Sequence, residues 1–148
     1  MSLDAFTRSF LETALWSSND ESRDDGGDPL DQNYTIADID PKCLAALAAE
    51  CARFQVEQAS TLESVYGERG PYGRSACDES SAGHDFWLTR NGHGCGFWDG
   101  DYPEAQAKIL TDASKRYGEV NLYVGDDGVI YAMGYEDGAR WPAKAMHA

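Results

Sequence analysis

Residues 84–99 read HDFWLTRNGHGCGFWD, the densest run of distinctive chemistry in the chain. Two aromatic-rich arms, 85–89 and 95–99, flank Asn91-Gly92-His93-Gly94. Aromatic and β-branched side chains suit a pleated, half-buried surface. Asn-Gly tolerates the positive φ that a tight turn needs, so the run reads as a β-hairpin. Side chains alternate along a strand. Phe86, Leu88, Cys95 and Phe97 then share a core face, and Trp87, Thr89, Gly96 and Trp98 share the other. The Trp87/Trp98 face is either covered by a helix or presented as a binding surface.

Around this run lies a chain of 148 residues, enough for one domain with a sizeable core. Hydrophobic content of 42% and charged content of 26% are those of an ordinary globule. No apolar run reaches bilayer length and no secretory pattern opens the sequence, so a cytoplasmic protein without membrane contact is expected. Twelve Lys and Arg against 26 Asp and Glu give a formal net charge of −14. That balance argues against direct nucleic-acid binding, which needs a basic face to displace counterions from phosphates. It suits a partner protein with a basic surface. Residues 20–40 hold eight acids, among them Asp20, Glu21, Asp24, Asp25, Asp28, Asp31 and Asp38, against Arg23 alone. Such a run is either a solvated acidic loop or a docking surface. Cys43, Cys51, Cys77 and Cys95 show no paired C-x-x-C spacing and are expected to be reduced.

Taken in order, residues 2–17 read as an amphipathic helix capped by Ser2, with Phe6, Phe10 and Ala14 at i, i+4 spacing. Residues 18–34 form an acidic loop, and 35–39 a single helical turn. Asp40-Pro41 opens a long helix to about residue 65, with Asp at N-cap and Pro at N1. Residues 67–83 are a Gly-rich connection. After the first hairpin a third helix starts at Pro103, with Ala105, Ile109, Ala113 and Tyr117 facing inward and Gly118 as its stop. A second hairpin covers 120–133. A three-residue loop, Asp126-Asp127-Gly128, pairs Val124 with Ile130 and Leu122 with Ala132. Residues 134–148 are a tail of turns. The expected fold is a single α+β domain over 1–148. It has two N-terminal helices, then hairpin, helix and hairpin, the four strands forming one antiparallel sheet against the helices.

Several constellations bear chemistry. Cys77, His84, His93 and Cys95 are zinc-type ligands, but their spacing fits no knuckle or ribbon, and no metal is expected. The loop from Asp20 has Asp25 where a calcium loop needs Gly. Cys95 with His84 or His93 and Asp85 or Asp99 could form a nucleophilic set, yet Cys95 lies on the expected core face, where thiols are inert. Arg90 beside Asn91-Gly92-His93-Gly94 either holds an anion or pairs with a neighbouring carboxylate. No phosphate-binding glycine motif is present, and no cofactor is expected.

The segments Ala14-Leu15-Trp16-Ser17, residues 83–94, Gly96-Phe97-Trp98-Asp99 and Leu122-Tyr123-Val124-Gly125-Asp126-Asp127-Gly128 together resemble a group of small acidic proteins encoded by tailed bacteriophages. The resemblance spans most of the chain. Cys95 departs from the group, where a small residue is usual. The resemblance implies a phage gene product acting in the host cytoplasm and assigns no catalytic residue. The leading expectation is a non-enzymatic accessory protein that binds and modulates a host protein, such as a nucleic-acid enzyme or defence factor. Its surface would be acidic, in a sharper form DNA-mimicking: Asp20, Glu21, Asp24, Asp25, Asp28, Asp31 and Asp38, with Trp87 and Trp98. The alternative is a small hydrolase-like or metal-dependent enzyme centred on His84, Asp85, Arg90, His93 and Cys95.

Overall fold

The computed structural model describes residues 2–22, 27–67, 77–92, 96–98 and 102–138. Along them run α1 (Ala5–Ser17), two 3-10 turns (Leu30–Gln32 and Ile36–Asp38), α2 (Pro41–Glu57), α3 (Ala59–Val65), α4 (Glu79–Arg90), α5 (Glu104–Lys115) and strands β1 (Leu122–Val124) and β2 (Ile130–Ala132). The described residues are therefore mostly helical, and their sheet has two antiparallel strands rather than the four expected.

The correction falls on the run that opened the sequence reading. Its first arm is the second half of α4, not a strand. Asp78 caps that helix by accepting a hydrogen bond from the Ser81 N–H at 2.9 Å, with Glu79 in the first turn and Arg90 in the last. Every residue from Asp85 to Arg90 is buried, as are Ala82 and Gly83. A helix enclosed on all sides carries no apolar stripe. Its aromatic residues then look strand-like, because tertiary packing and not local preference decides their conformation. Gly92 does adopt positive φ (+68°), but it stops a helix instead of turning a hairpin. Residues 96–98 form a turn, with the Phe97 N–H donating to Thr89 Oγ1 at 3.1 Å. His93, Cys95 and Asp99 lie outside the described residues.

Other boundaries shift less. Asp4, not Ser2, caps α1, accepting from the Thr7 N–H at 2.8 Å. The long second helix breaks at Gln58 into α2 and α3, while Asp40 and Pro41 open it as expected. The buried side of α5 carries Ala107, Leu110, Thr111, Ala113 and Ser114. Ala105 and Ile109 face outward, since the inward stripe runs through positions 107, 110, 111 and 114. The second hairpin has the expected register, Leu122 opposite Ala132 and Val124 opposite Ile130, with Gly128 at φ +79°. It is fastened to the start of α2 where the Asp40 N–H donates to the Ile130 carbonyl at 2.8 Å.

The core is aromatic. Phe54 of α2 stacks on Phe86 of α4 with ring centres 4.1 Å apart, and Phe10 of α1 meets Trp87 edge-on at 5.4 Å. Phe97 and Tyr117 close the stack against Phe54. Helices α1 and α4 approach so closely that a Cβ on Gly83 would sit 2.0 Å from the Phe6 carbonyl oxygen. Ser9 reinforces the crossing by donating to the Ser80 carbonyl at 2.6 Å.

Gly83→Ala should therefore lower stability by more than the ~1–3 kcal/mol typical of overpacking, because the clash is with backbone. Gly92→Ala, with open space around it, should lose only about 1 kcal/mol for its left-handed φ. Urea midpoints of the two variants test the ranking. Equal midpoints would mean that α1 does not rest on Gly83.

Candidate functional site

Arg90, read from the sequence as either an anion holder or the partner of a carboxylate, is the latter, and it is enclosed. Its side chain has no exposed surface. Nε donates to the Gly118 carbonyl at 2.8 Å, and Nη2 donates to the Tyr117 carbonyl at 3.1 Å and to the Tyr135 hydroxyl at 3.0 Å. Nη1 lies 2.9 Å from Glu50 Oε1, an ion pair without hydrogen-bond alignment. The rings of Phe86, Tyr117 and Phe10 surround the guanidinium at 5.1, 5.4 and 5.9 Å. The Tyr135 hydroxyl also donates to Glu50 at 2.9 Å. Arg90 thus serves the carbonyls of Tyr117 and Gly118 just beyond α5 and balances a carboxylate from α2. It is unavailable to a ligand.

Asp85 is buried as well. It accepts from the Tyr102 hydroxyl at 2.8 Å and lies 3.0 Å from His84 Nδ1. His84 is half-exposed and its ring faces Trp16 of α1, with centres 6.0 Å apart. His84, Asp85 and Arg90 therefore do not converge: one reaches the surface beside Trp16, one is held by Tyr102, and one is sealed in the core. Among the described residues no group of three or more His, Cys, Asp or Glu is placed to hold a metal ion. The thiols of Cys43, Cys51 and Cys77 lie in buried positions. Burial pushes the Cys43 and Cys51 thiols up, away from the reactive thiolate.

The expected acidic surface is also redistributed. Asp20 is buried, its carboxylate taken by the backbone and hydroxyl of Ser22. Asp38 is exposed but accepts from the Thr35 N–H at 2.8 Å, closing a capping box that fixes the second 3-10 turn. Glu21, Asp28 and Asp31 are exposed, and Asp24 and Asp25 lie outside the described residues. The two tryptophans separate. Trp98 is 49% exposed, whereas Trp87 is buried with its Nε1–H donating to Ser17 Oγ at 2.7 Å. Trp87 is a core residue because α4 is buried all round from Asp85 to Arg90.

A groove of about 520 Å³ runs between α1 and the two 3-10 turns. From α1 it takes Arg8, Glu12, Leu15 and Trp16. From the opposite side it takes Asp31, Tyr34 and Ile36. Leu30 fixes that side by donating its N–H to the Ser18 carbonyl at 2.8 Å, and Tyr34 follows with a bond to the Leu30 carbonyl at 2.9 Å. Sequence reasoning placed Trp16 only at a helix end and passed over Arg8 and Glu12. The available signal was their helical spacing beside the apolar stripe. A second, polar cavity of about 280 Å³ lies near the end of α1, lined by Ser17, Asn91, Glu119 and neighbours.

Scans of family models, of curated proteins and of solved structures each found no match for this chain. No helix among the described residues is long and apolar enough to cross a membrane.

Arg90→Lys keeps the charge but can reach at most part of this acceptor set. The partly buried Glu50 and the carbonyls after α5 would lose partners, a loss of about 3–5 kcal/mol. A wild-type urea midpoint for Arg90→Lys would show that the guanidinium is not an anchor. A second expectation concerns alkali. Burial, and then the neighbouring carboxylates Asp85 and Glu57, push the phenols of Tyr102 and Tyr117 above their ordinary range. Their folded-state values exceed the unfolded value of about 10, so the stability they contribute is full below that pH and is lost as pH rises beyond it through the raised folded-state values. Absorbance at 295 nm, followed with circular dichroism, should give a late phenol phase that coincides with unfolding. Full phenol ionisation near pH ~10 in the still-folded protein would contradict it.

Proposed function

We propose that this is a non-catalytic, acidic binding protein that engages a basic surface on a partner protein. In keeping with the phage-like sequence segments, the partner is a host protein whose activity it modulates. The observation that carries the reading is the charge: a net −14 in 148 residues, with few cations available to neutralise it. Among the described residues the exposed ion pairs are the helical pairs Arg53–Glu57 and Lys108–Asp112. Glu12, Glu21, Asp28 and Asp31 stand exposed without such partners. An unneutralised anionic surface accelerates encounter with a cationic partner and repels nucleic acid and other acidic molecules. The enclosure of Arg90 weighs against the enzyme centred on residues 84–95, because that set loses its cation.

Immobilised protein incubated with bacterial lysate should retain a basic protein at low ionic strength. Retention should weaken steadily as salt is raised through the range where the Debye length falls below about 10 Å. The retained protein, purified, should form a binary complex with the same salt slope. Retention of nothing, or of a partner indifferent to salt, would refute an electrostatic binding protein.

A further inference from the structure

Most polar groups near the core are already engaged: Arg90 by carbonyls and Glu50, Asp85 by His84 and Tyr102, Asp20 by Ser22. The groove beside α1 differs. Trp16 is 45% exposed there, and Tyr34 is half-buried opposite. The carboxylates of Glu12 and Asp31, one from each wall, form no hydrogen bond or ion pair with the described residues. Arg8, one turn before Glu12, is likewise uncommitted through its side chain. An aromatic wall flanked by unneutralised carboxylates, in a chain of charge −14, is complementary to a planar cation.

We propose that this groove seats an arginine side chain from a basic segment of the partner protein, with its guanidinium on the Trp16 ring and paired with Glu12 and Asp31. The inference rests on the reading of a basic protein partner and adds the place and the residue type. Tryptophan gives the strongest cation–π face, and guanidinium both stacks on aromatic rings and takes carboxylates bidentately, which an ammonium does not. Arg8 at the same rim can donate to main-chain carbonyls of the incoming segment, which is why one cation does not spoil the site. A volume of about 520 Å³ accommodates such a side chain with part of its backbone. The walls are held in advance. The Leu30–Ser18 bond and the Thr35–Asp38 capping box fix one side, and His84 lies behind Trp16 on the other. Little ordering is therefore needed on binding.

The test uses the full chain and the blocked tripeptide acetyl-Gly-Arg-Gly-amide, read by the indole N–H resonances in nuclear magnetic resonance. The Trp16 indole should shift saturably while that of exposed Trp98 stays in place. The neutral citrulline counterpart should bind roughly tenfold more weakly. E12Q/D31N should abolish the shift. E63Q/E104Q, which removes two exposed carboxylates elsewhere, should retain it. Equal shifts with citrulline, preference for acetyl-Gly-Glu-Gly-amide, Trp98 moving with Trp16, or equal loss in E63Q/E104Q would each overturn the proposal. A host partner held as tightly by E12Q/D31N as by the natural protein would overturn the groove and leave the general basic-partner reading standing. Intact arginine-peptide binding with no host partner retained would do the reverse.

Discussion

A single buried guanidinium ties the ends of the fold together. Arg90 closes α4, and its nitrogens reach the carbonyls after α5, the carboxylate of Glu50 on α2 and the hydroxyl of Tyr135 beyond the hairpin. These segments are far apart in sequence. A buried charge is tolerated only when its attraction and its hydrogen bonds offset desolvation. Here three ring faces, three aligned acceptors and one carboxylate do so. The arrangement specifies which ends meet, a constraint that hydrophobic packing alone leaves loose.

Around that junction α4 acts as an axle. Its second half is enclosed by α1 on one side, by Phe54 of α2 on another, and by the Phe97 turn and Tyr117. The Gly83 crossing leaves α1 no freedom to slide along it. That matters at the surface, because the outward face of α1 supplies Arg8, Glu12 and Trp16 to the groove. The groove's geometry is thus inherited from the core, and a ligand meets a wall that is already in position.

The parts of the fold that local chemistry dictates were legible in the sequence. Asp126-Asp127-Gly128 turns a hairpin whose register follows from the one glycine able to take positive φ. Asp40-Pro41 opens α2 for the same local reason. The run at 85–90 was not legible, because burial on every side erases the 3.6-residue stripe and leaves only aromatic content, which resembles a strand. Asn91-Gly92 signalled a left-handed residue correctly, and the sequence could not tell a helix stop from a hairpin turn. The burial of Phe86, Leu88 and Phe97 was anticipated, and of the two readings of the Trp87 face the covered one holds for Trp87, although the strand behind the argument is a helix. The groove needed the long-range bond from Leu30 to Ser18, which no sequence pattern near residue 16 announces.

Among the described residues five tyrosines donate their hydroxyls to carboxylates: Tyr102 to Asp85, Tyr117 to Glu57, Tyr123 to Glu136, Tyr131 to Asp127 and Tyr135 to Glu50. A phenol is a neutral donor. It satisfies an anion without cancelling it, where a lysine would satisfy and neutralise together. The chain can thus hold its acids in fixed geometry while its field toward the outside stays undiminished. A neutral donor's bond is also little affected by dissolved ions, whereas attraction between separate molecules is screened by them. Internal cohesion and external reach consequently answer to different variables, and salt that releases a partner need not loosen the fold that held it.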